Sequence, residues 1–242
     1  MNLFVGVSGY SYKEWKGRFY PKNLPATRML RYYGEQFRTV EINSTFFAMP
    51  KVAPLDQWAG QVGDDFRFAF KAPRRITHVQ SLRDKGELLS QLYESLGTLR
   101  SRLGPLLFGL PPTLKKDASR LRTFLALLPS GSHVAVEFRH PSWFDDEVFE
   151  LMRTHGVALC VADADDGLVV PFVATANWGY LRLRRLEYKE PALKKWLQKI
   201  RDAGWSEAFV YFKHEDEANG PRLAQRMLNL ASRFQLKKPS NR

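Results

Sequence analysis

The chain has 242 residues, of which 44% are hydrophobic and 26% are charged. This balance excludes a disordered, collagen-like or low-complexity protein and is typical of a globular chain. Lys and Arg exceed Asp and Glu by 12, so the net charge favours anionic partners such as phosphates, nucleic acid or acidic lipid.

Eight short runs along the chain have the composition and the boundaries of β-strands. They are rich in Val, Leu, Phe or Tyr and are bounded by Gly, Pro, Asn or Asp, as strands commonly are. The runs are residues 3–7, 39–42, 66–71, 105–110, 133–138, 158–163, 180–184 and 208–212.

Between most of these runs lie stretches with apolar residues three and four positions apart, which is the spacing of an amphipathic helix. The clearest are residues 88–99, 121–128, 193–200 and 222–234. Strands that alternate with helices predict a parallel sheet, and eight of them predict a single (β/α)8 TIM-type barrel over residues 1–242. An open doubly wound sheet is the alternative, although residues 6–10 lack its usual G-x-G-x-x-G pattern.

Two long segments without a helical pattern interrupt this alternation. The first, residues 8–25, follows the first strand, and the second, residues 163–179, precedes the seventh. Long irregular segments at strand ends are where barrel enzymes keep their sites. We therefore expect a somewhat irregular barrel with functional loops at these two places.

Signals for secretion or membrane insertion are absent from the sequence. The amino-terminal residues lack the basic region and the apolar core of a secretory signal. The longest apolar stretches, residues 157–164 and 168–176, fall short of the ~20 residues that a spanning helix needs. Cys160 is the only cysteine, which excludes an internal disulfide. We expect a cytoplasmic protein with no membrane partner.

Polar residues two positions apart at several strand ends predict a site inside the barrel. Side chains alternate along a strand, so residues of one parity face the barrel interior. The carboxyl ends of the strands form the catalytic face in essentially all barrel enzymes. The residues selected in this way include Glu41, Asn43, Lys71, Glu137, Arg139, Asp163, Arg182, Arg184, Tyr211 and Lys213.

Four of the candidate residues suit catalysis. Glu41 and Glu137 could act as a general acid and base, with unequal burial expected to separate their pKa values. A desolvated Lys71 could serve as a base or nucleophile, although a structural ion pair with Glu41 would explain it equally well. His78, in the segment after the third strand, is a candidate proton shuttle.

Other candidates suit substrate binding. Arg139 and Arg182 could clamp an anion, whereas Arg184 is interpreted as a surface charge or a nucleic-acid contact. Aromatic rings stack on sugars and bases, which makes the aromatic residues near strand ends candidates for ligand contact. The expected substrate-binding residues are Asn43, Arg139, Arg182, Tyr10, Tyr12, Trp143, Tyr211 and Lys213. The structural alternative is a buried network of charges that only pair with one another.

No H-E-x-x-H or C-x-x-C pattern indicates a metal site, and the sequence requires no cofactor. A divalent ion held by Glu41, Glu137, Asp163 and His78 is a less favoured alternative. His214, after the last strand, is a weaker candidate for an acid, a base or a ligand.

Several motifs occur along the chain in a specific order. They are G-V-S-G-Y-S-Y at residues 6–12, V-E-I-N-S-T-F-F at 40–47, L-P-P at 110–112, V-E-F-R at 136–139 and V-Y-F at 210–212. Together they resemble the YecE-like proteins, the domain of unknown function 72 family, over nearly the whole chain. The resemblance implies a TIM-type barrel, related in fold to sugar isomerases and to a class of DNA-repair endonucleases, but no established reaction.

The resemblance also assigns residues. Positions that match the family motifs are Glu41, Asn43, Lys71, His78, Glu137, Arg139 and Trp143. The sequence departs from the family pattern at Gly109, where relatives often have Gln, and at residues 184–185 and 213–214, where it has Arg-Arg and Lys-His. Because relatives often have His-Gly and Asn-Asn there, these departures make the expected site more basic.

The sequence therefore predicts an enzyme that acts on a small anionic substrate, a phosphorylated sugar or a nucleotide-like molecule, by Glu acid/base chemistry at the carboxyl end of the barrel. The first alternative is a nucleic-acid-binding or nucleic-acid-processing protein that uses the basic surface. That surface includes residues 182–201 and, in the tail, Lys237, Lys238 and Arg242. The second alternative is a non-catalytic binding protein.

Overall fold

Eight parallel β-strands form one sheet in the order β1-β8-β7-β6-β5-β4-β3-β2. The strands are β1 (Asn2–Val7), β2 (Thr39–Ile42), β3 (Arg67–Lys71), β4 (Leu103–Gly109), β5 (Val134–Glu137), β6 (Ala158–Asp163), β7 (Trp178–Leu183) and β8 (Glu207–Phe212). The computed structural model describes residues 1–79, 82–213 and 216–234, so His214 and the basic tail residues Lys237, Lys238 and Arg242 lie outside the described residues. The predicted TIM-type barrel is confirmed, with every strand in the expected place.

Helices cover the outside of the sheet. They are α1 (Met29–Gln36), α2 (Val52–Ala59), α3 (Arg74–Thr77), α4 (Gly86–Gly97), α5 (Ala118–Leu125), α6 (Asp146–Thr154), α7 (Glu190–Asp202) and α8 (Asn219–Ala231). Asp145 caps α6 by accepting a hydrogen bond from the backbone N–H of Glu147, as its position before the helix predicts. Among the described residues, no helix is both long enough and apolar enough to cross a bilayer.

The barrel closes between β1 and β2 through a side chain. The hydroxyl of Tyr33, on α1, accepts a hydrogen bond from the Val7 backbone N–H at 2.9 Å and donates one to the Thr39 carbonyl at 3.0 Å. The two strands approach closely at Gly6, where a Cβ would lie 2.2 Å from the carbonyl oxygen of Thr39. A single bridge between Ser8 and Glu41 joins the two strands at the carboxyl end.

The barrel interior is filled by side chains of one parity, as the alternation test predicts. The lower layers form an apolar cluster of Phe4, Ala69, Leu107, Ala135, Ala158, Cys160, Trp178, Tyr180, Phe209 and Tyr211. Two residues further along the same strands come the charged side chains of Lys71, Glu137 and Arg182. The charged layer therefore rests on an apolar floor, where electrostatic interactions are stronger than in water.

Neither of the two long segments contains an α-helix, as the sequence predicts. Residues 8–25 contain only a short 3-10 turn at Lys13–Trp15, and residues 164–177 join β6 to β7 without a helix. In the first segment Trp15 is buried and packs edge-on against Phe19 at 5.7 Å. These two rings therefore belong to a small aromatic core within the segment.

Candidate active site at the barrel mouth

A buried arginine joins the two candidate glutamates. Arg182 Nη2 donates a hydrogen bond to Glu41 Oε1, and Nη1 donates one to Glu137 Oε1, each at 2.9 Å. The three residues expose 1%, 0% and 3% of their surface, respectively. Because the three strands that carry them are not neighbours, this arrangement exists only in the closed barrel.

Glu41 has further hydrogen bonds that hold it in its ionised form. Ser8 Oγ donates to Oε1 at 2.7 Å, the Tyr180 hydroxyl donates to Oε2 at 2.7 Å, and Asn43 Nδ2 donates to Oε1 at 3.2 Å. Although burial alone would raise the pKa of Glu41, the charge of Arg182 and these hydrogen bonds lower it.

Glu137 is held in the same way. Arg139 donates to Oε2 from Nη2 at 3.0 Å and from Nε at 3.3 Å. Burial alone would raise the pKa of Glu137, but the charges of Arg182 and Arg139 hold it well below its ordinary value. The expectation that unequal burial separates the two glutamates is wrong, because both are buried and both have lowered pKa values. Neither carboxyl group carries a proton that it could donate at neutral pH.

Lys71, at the end of β3, is the titratable group best suited to proton transfer. Burial, followed by the charge of Arg182, lowers its pKa to about 8. Its ammonium group lies 4.4 Å from the centre of the Phe46 ring. It forms no direct ion pair with any described residue, so the expected pairing with Glu41 is reduced to a longer-range attraction, to which Glu137 also contributes.

Arg184 is a second half-buried cation at the mouth. Burial, followed by the charge of Arg182, lowers its pKa, and its guanidinium group has no hydrogen bond or ion pair with the part of the chain that is described. It lines a cleft of about 370 Å³ together with Glu137, Arg139, Leu168 and other residues. The interpretation of Arg184 as a surface charge is wrong. Its position two residues after Arg182 correctly predicts a side chain that faces the barrel interior.

His78 lies beside the same cations. It follows α3, its Nδ1 is 2.8 Å from the hydroxyl of Thr77, and its ring packs edge-on against Phe46 at 5.2 Å. Burial, followed by the charges of Arg139 and Lys71, lowers the pKa of His78. The structure thus brings both His78 and Lys71 into contact with the ring of Phe46.

Two of the residues expected to bind substrate are buried elsewhere in this conformation. Trp143 is 0% exposed, stacks on Phe138 at 4.8 Å and donates its ring N–H to the Leu114 carbonyl. Its ring therefore packs in the core and does not face the mouth, contrary to the expected ligand contact. Tyr211 is also 0% exposed and shares a 2.7 Å hydrogen bond with Thr39 below the charged layer.

The remaining candidates occupy the first insertion and the end of β8. Tyr10 packs against Tyr33 and Trp58 instead of the charged cluster, at 6.4 and 6.3 Å. The hydroxyl of Tyr12 donates to the Ser8 carbonyl at 3.0 Å, directly beside Glu41. Lys213 is half-buried, and its backbone N–H donates to the carbonyl of Leu183. Tyr12 is therefore the aromatic residue of this group nearest the ionised carboxylates.

The proposed metal ligands do not converge. Asp163 accepts hydrogen bonds from Arg185 Nε at 2.8 Å and from the Tyr188 hydroxyl at 3.0 Å. No group of three or more His, Cys, Asp or Glu side chains within the described ranges is arranged to hold a metal ion. The alternative metal site that combined Asp163 with Glu41, Glu137 and His78 is not supported, because the three carboxylates accept hydrogen bonds from arginines instead.

Gly109 has no side chain and therefore leaves space between Lys71 and Glu137. A Cβ at this position would lie 3.0 Å from Glu137 Oε2 and 3.6 Å from Lys71 Cε. The residue ends β4, between β3 and β5, so any side chain there would project into the mouth. The absence of a side chain therefore opens the space between Lys71 and Glu137.

Comparison with known proteins establishes the family. The model described as "Protein of unknown function DUF72" matches residues 4–242. This chain belongs to the DUF72 family. The resemblance inferred from the motifs is confirmed.

Two curated proteins have related sequences. YecE of Escherichia coli K12 is 33% identical over 143 residues, which is 59% of this chain and 50% of YecE. YunF of Bacillus subtilis 168 is 24% identical over 173 residues, which is 66% of this chain and 60% of YunF. The matched region spans about half of the length of YecE.

Solved structures support the fold. A DUF72 protein from Thermotoga maritima has a TM-score of 0.86 and 27% identity, covering 96% of this chain and 100% of that one. A DUF72 protein from Enterococcus faecalis has a TM-score of 0.81 and 16% identity, with 95% of each chain covered. The 3-keto-D-glucoside 4-epimerase YcjR of E. coli has a TM-score of 0.54 and 11% identity, with 96% and 99% covered. The last two likenesses concern the fold alone.

Proposed function

We propose that this chain is an enzyme that binds a small anionic substrate at the barrel mouth and uses Lys71 to transfer a proton. The observation that carries the proposal is the pair of half-buried cations, Lys71 and Arg184, whose side chains form no ion pair or hydrogen bond with the described residues and feel the charges of Glu41 and Glu137 only at longer range. A desolvated cation without a direct ion pair is costly, and an anionic ligand would supply that direct partner.

The charge balance of the mouth supports an anionic ligand. Four cationic side chains, those of Lys71, Arg139, Arg182 and Arg184, surround the two ionised glutamates. Because Arg182 pairs with both carboxylates and Arg139 pairs with Glu137, the excess positive charge resides on Lys71 and Arg184. Guanidinium groups bind phosphate and carboxylate in a bidentate manner, and an ammonium group adds a point charge.

Two unsatisfied polar atoms also point to a functional site. Arg182 Nε and Asn43 Oδ1 are buried without a hydrogen-bond partner. Buried polar atoms without partners are uncommon in folded proteins, and each one requires a specific explanation. Both atoms belong to residues that hydrogen-bond to Glu41, and a bound ligand or an ordered water molecule beside that carboxylate would satisfy them.

Lys71 is the group best matched to acid/base work. A pKa of about 8 leaves about a tenth of the amine neutral at pH 7, so that either form is accessible. The glutamates would act differently from the expectation based on the sequence. Held ionised by Arg182, they would orient the cations and hold the pKa of Lys71 above the value that burial alone would impose.

The proposal can be tested by calorimetric titration of inorganic phosphate into the wild-type protein and three variants. Lys71→Gln and Arg184→Gln should each weaken phosphate binding by about tenfold or more, the effect of losing a charged hydrogen bond. Arg122→Gln removes the same charge from the exposed surface of α5 and should leave the affinity within twofold.

The same titrations at several pH values and salt concentrations test the proposal further. Binding in a cleft should weaken as the pH rises through 8, because Lys71 loses its charge there. An affinity unaffected by Lys71→Gln and Arg184→Gln would overturn the proposal. Binding of an oligonucleotide, but not of phosphate, that weakens about 10³–10⁵-fold between 50 and 200 mM salt would instead identify a nucleic-acid surface.

A further inference from the structure

Exposed apolar side chains are concentrated on one face of the barrel. Six large hydrophobic residues are exposed in the described part of the chain: Phe47, Val52, Val79, Leu127, Val169 and Leu186. All but Leu127 lie in segments that follow β2, β3, β6 or β7, or at the start of α2. These segments surround the carboxyl ends of the strands, where the cationic cluster lies.

One part of this rim groups aromatic and apolar side chains; we call it the aromatic lip and define it as Phe46, Phe47, His78 and Val79. The rings of Phe46 and Phe47 meet edge-on at 5.3 Å, and Phe46 meets His78 at 5.2 Å. Phe47 is 77% exposed and Val79 is 50% exposed. Single exposed apolar residues are ordinary, whereas exposed apolar side chains grouped beside a charged site favour a ligand-binding surface.

The aromatic lip adjoins the cations of the proposed site. Lys71 Nζ lies 4.4 Å from the centre of the Phe46 ring. His78 is close enough to Lys71 and Arg139 for both charges to act on its imidazole. A ligand whose anionic group meets Lys71 would therefore bring its adjoining atoms over the lip.

The chemistry of the lip favours a planar ring. One face of Phe46 is already occupied by the ammonium of Lys71, whereas the ring of Phe47 is open to solvent. Aromatic side chains gain more from stacking on a flat ring than from contact with a flexible chain, because ring pairs add to the area that is buried.

We propose that the substrate is an anion joined to a planar ring, such as an aryl phosphate or a nucleotide, and that Phe47 determines this specificity. The inference rests on the proposed function, because Lys71 and Arg184 bind the anionic group. Phe47 is a specificity residue: it contributes to affinity for the ring and has no part in proton transfer.

Three phosphate compounds test the proposal by calorimetric titration: inorganic phosphate, methyl phosphate and phenyl phosphate. The wild-type protein should bind phenyl phosphate about fivefold more tightly than methyl phosphate, the effect of one aromatic pair. Phe47→Ala should remove this preference and leave the affinity for inorganic phosphate unchanged. Phe47→Tyr keeps a ring and should retain the preference.

Leu127→Ala is the matched control. Leu127 is also exposed, at 42%, but it follows α5 at the opposite end of the barrel, so its truncation should change none of the three affinities. Phe47 is exposed, so its replacement should not unfold the chain. Thermal unfolding of each variant would check this directly.

The outcomes separate the two proposals. If the wild-type protein binds methyl and phenyl phosphate equally well, or if Phe47→Ala weakens all three compounds alike, the ring specificity is wrong and the anion site stands. If none of the three compounds binds to the wild-type protein, the proposed function fails and the ring specificity fails with it.

Discussion

Arg182 and Glu41 form an ion pair across the barrel interior, from β7 to β2, with 2.9 Å between Nη2 and Oε1. Both side chains are almost completely buried, so each charge is stabilised by the other and not by water. Glu137 completes the arrangement on the other guanidinium nitrogen. The more accessible cations of the barrel mouth lie next to this buried triad.

Removing the arginine should be strongly destabilising. Arg182→Met leaves the carboxylates of Glu41 and Glu137 buried without their main partner, and we expect a loss of about 3–5 kcal/mol in the free energy of unfolding. Urea denaturation at pH 7 measures this loss. The variant should recover part of it as the pH falls and the glutamates become protonated. A variant as stable as the wild type at pH 7 would show that the triad is not held by charge.

Lys71 should lower the stability of the fold at neutral pH. Its pKa falls from 10.5 to about 8 in the folded chain, so the unfolded chain binds the proton more tightly. Between pH 8 and about 10.5, where the folded amine is neutral and the unfolded one is charged, wild-type stability therefore rises with pH. Lys71→Met should be more stable than the wild type at pH 7, and this advantage should shrink across that window.

Denaturant unfolding at pH 7, 8, 9 and 10 provides the measurement for Lys71. Lys194→Met is a control, because Lys194 is an exposed partner of Glu190 and has no buried charge to lose. A Lys71→Met variant that is less stable at pH 7, or whose difference from the wild type is constant with pH, would contradict the lowered pKa.

A side chain at Gly109 should disturb the position of Glu137 in this chain. In Gly109→Ala the new methyl group would lie 3.0 Å from Glu137 Oε2, so that the carboxylate must move away from its arginine partners. We expect phosphate binding to weaken by about tenfold, equivalent to about 1.4 kcal/mol. Gly97→Ala adds the same methyl group where no atom lies within 4 Å, and its affinity for phosphate should match that of the wild type.

The hydroxyl of Tyr33 should contribute to closure of the barrel. Tyr33→Phe leaves the Val7 N–H and the Thr39 carbonyl without this partner in a buried position, with an expected loss of about 1–3 kcal/mol. The comparison variant Tyr32→Phe, on the same helix, removes a hydroxyl that makes no hydrogen bond to the described residues. Equal stability of the two variants in guanidinium denaturation would argue against a role in closure.

Much of the candidate site could be predicted from the alternation of residues along strands. Glu41, Lys71, Glu137 and Arg182 share the interior parity, and the structure brings all four to the mouth. The failures have identifiable causes. Arg184 has the same parity as Arg182, but it adjoins Arg185, which pairs at the surface with Asp163, and two consecutive arginines resemble a surface charge pair in the sequence. Trp143 follows a strand, but a 3-10 turn directs its ring into the core.

The sequence by itself determined the strands, most helices, the barrel and the parity of the polar residues, because these depend on local periodicity and on short-range boundaries. Only the tertiary structure decided the charge states. The pKa values of Glu41, Glu137 and Lys71 depend on Arg182, which is more than forty positions away from each of them in the chain, and on burial beneath a closed sheet. Closure brings these distant groups together, and desolvation makes their interactions strong.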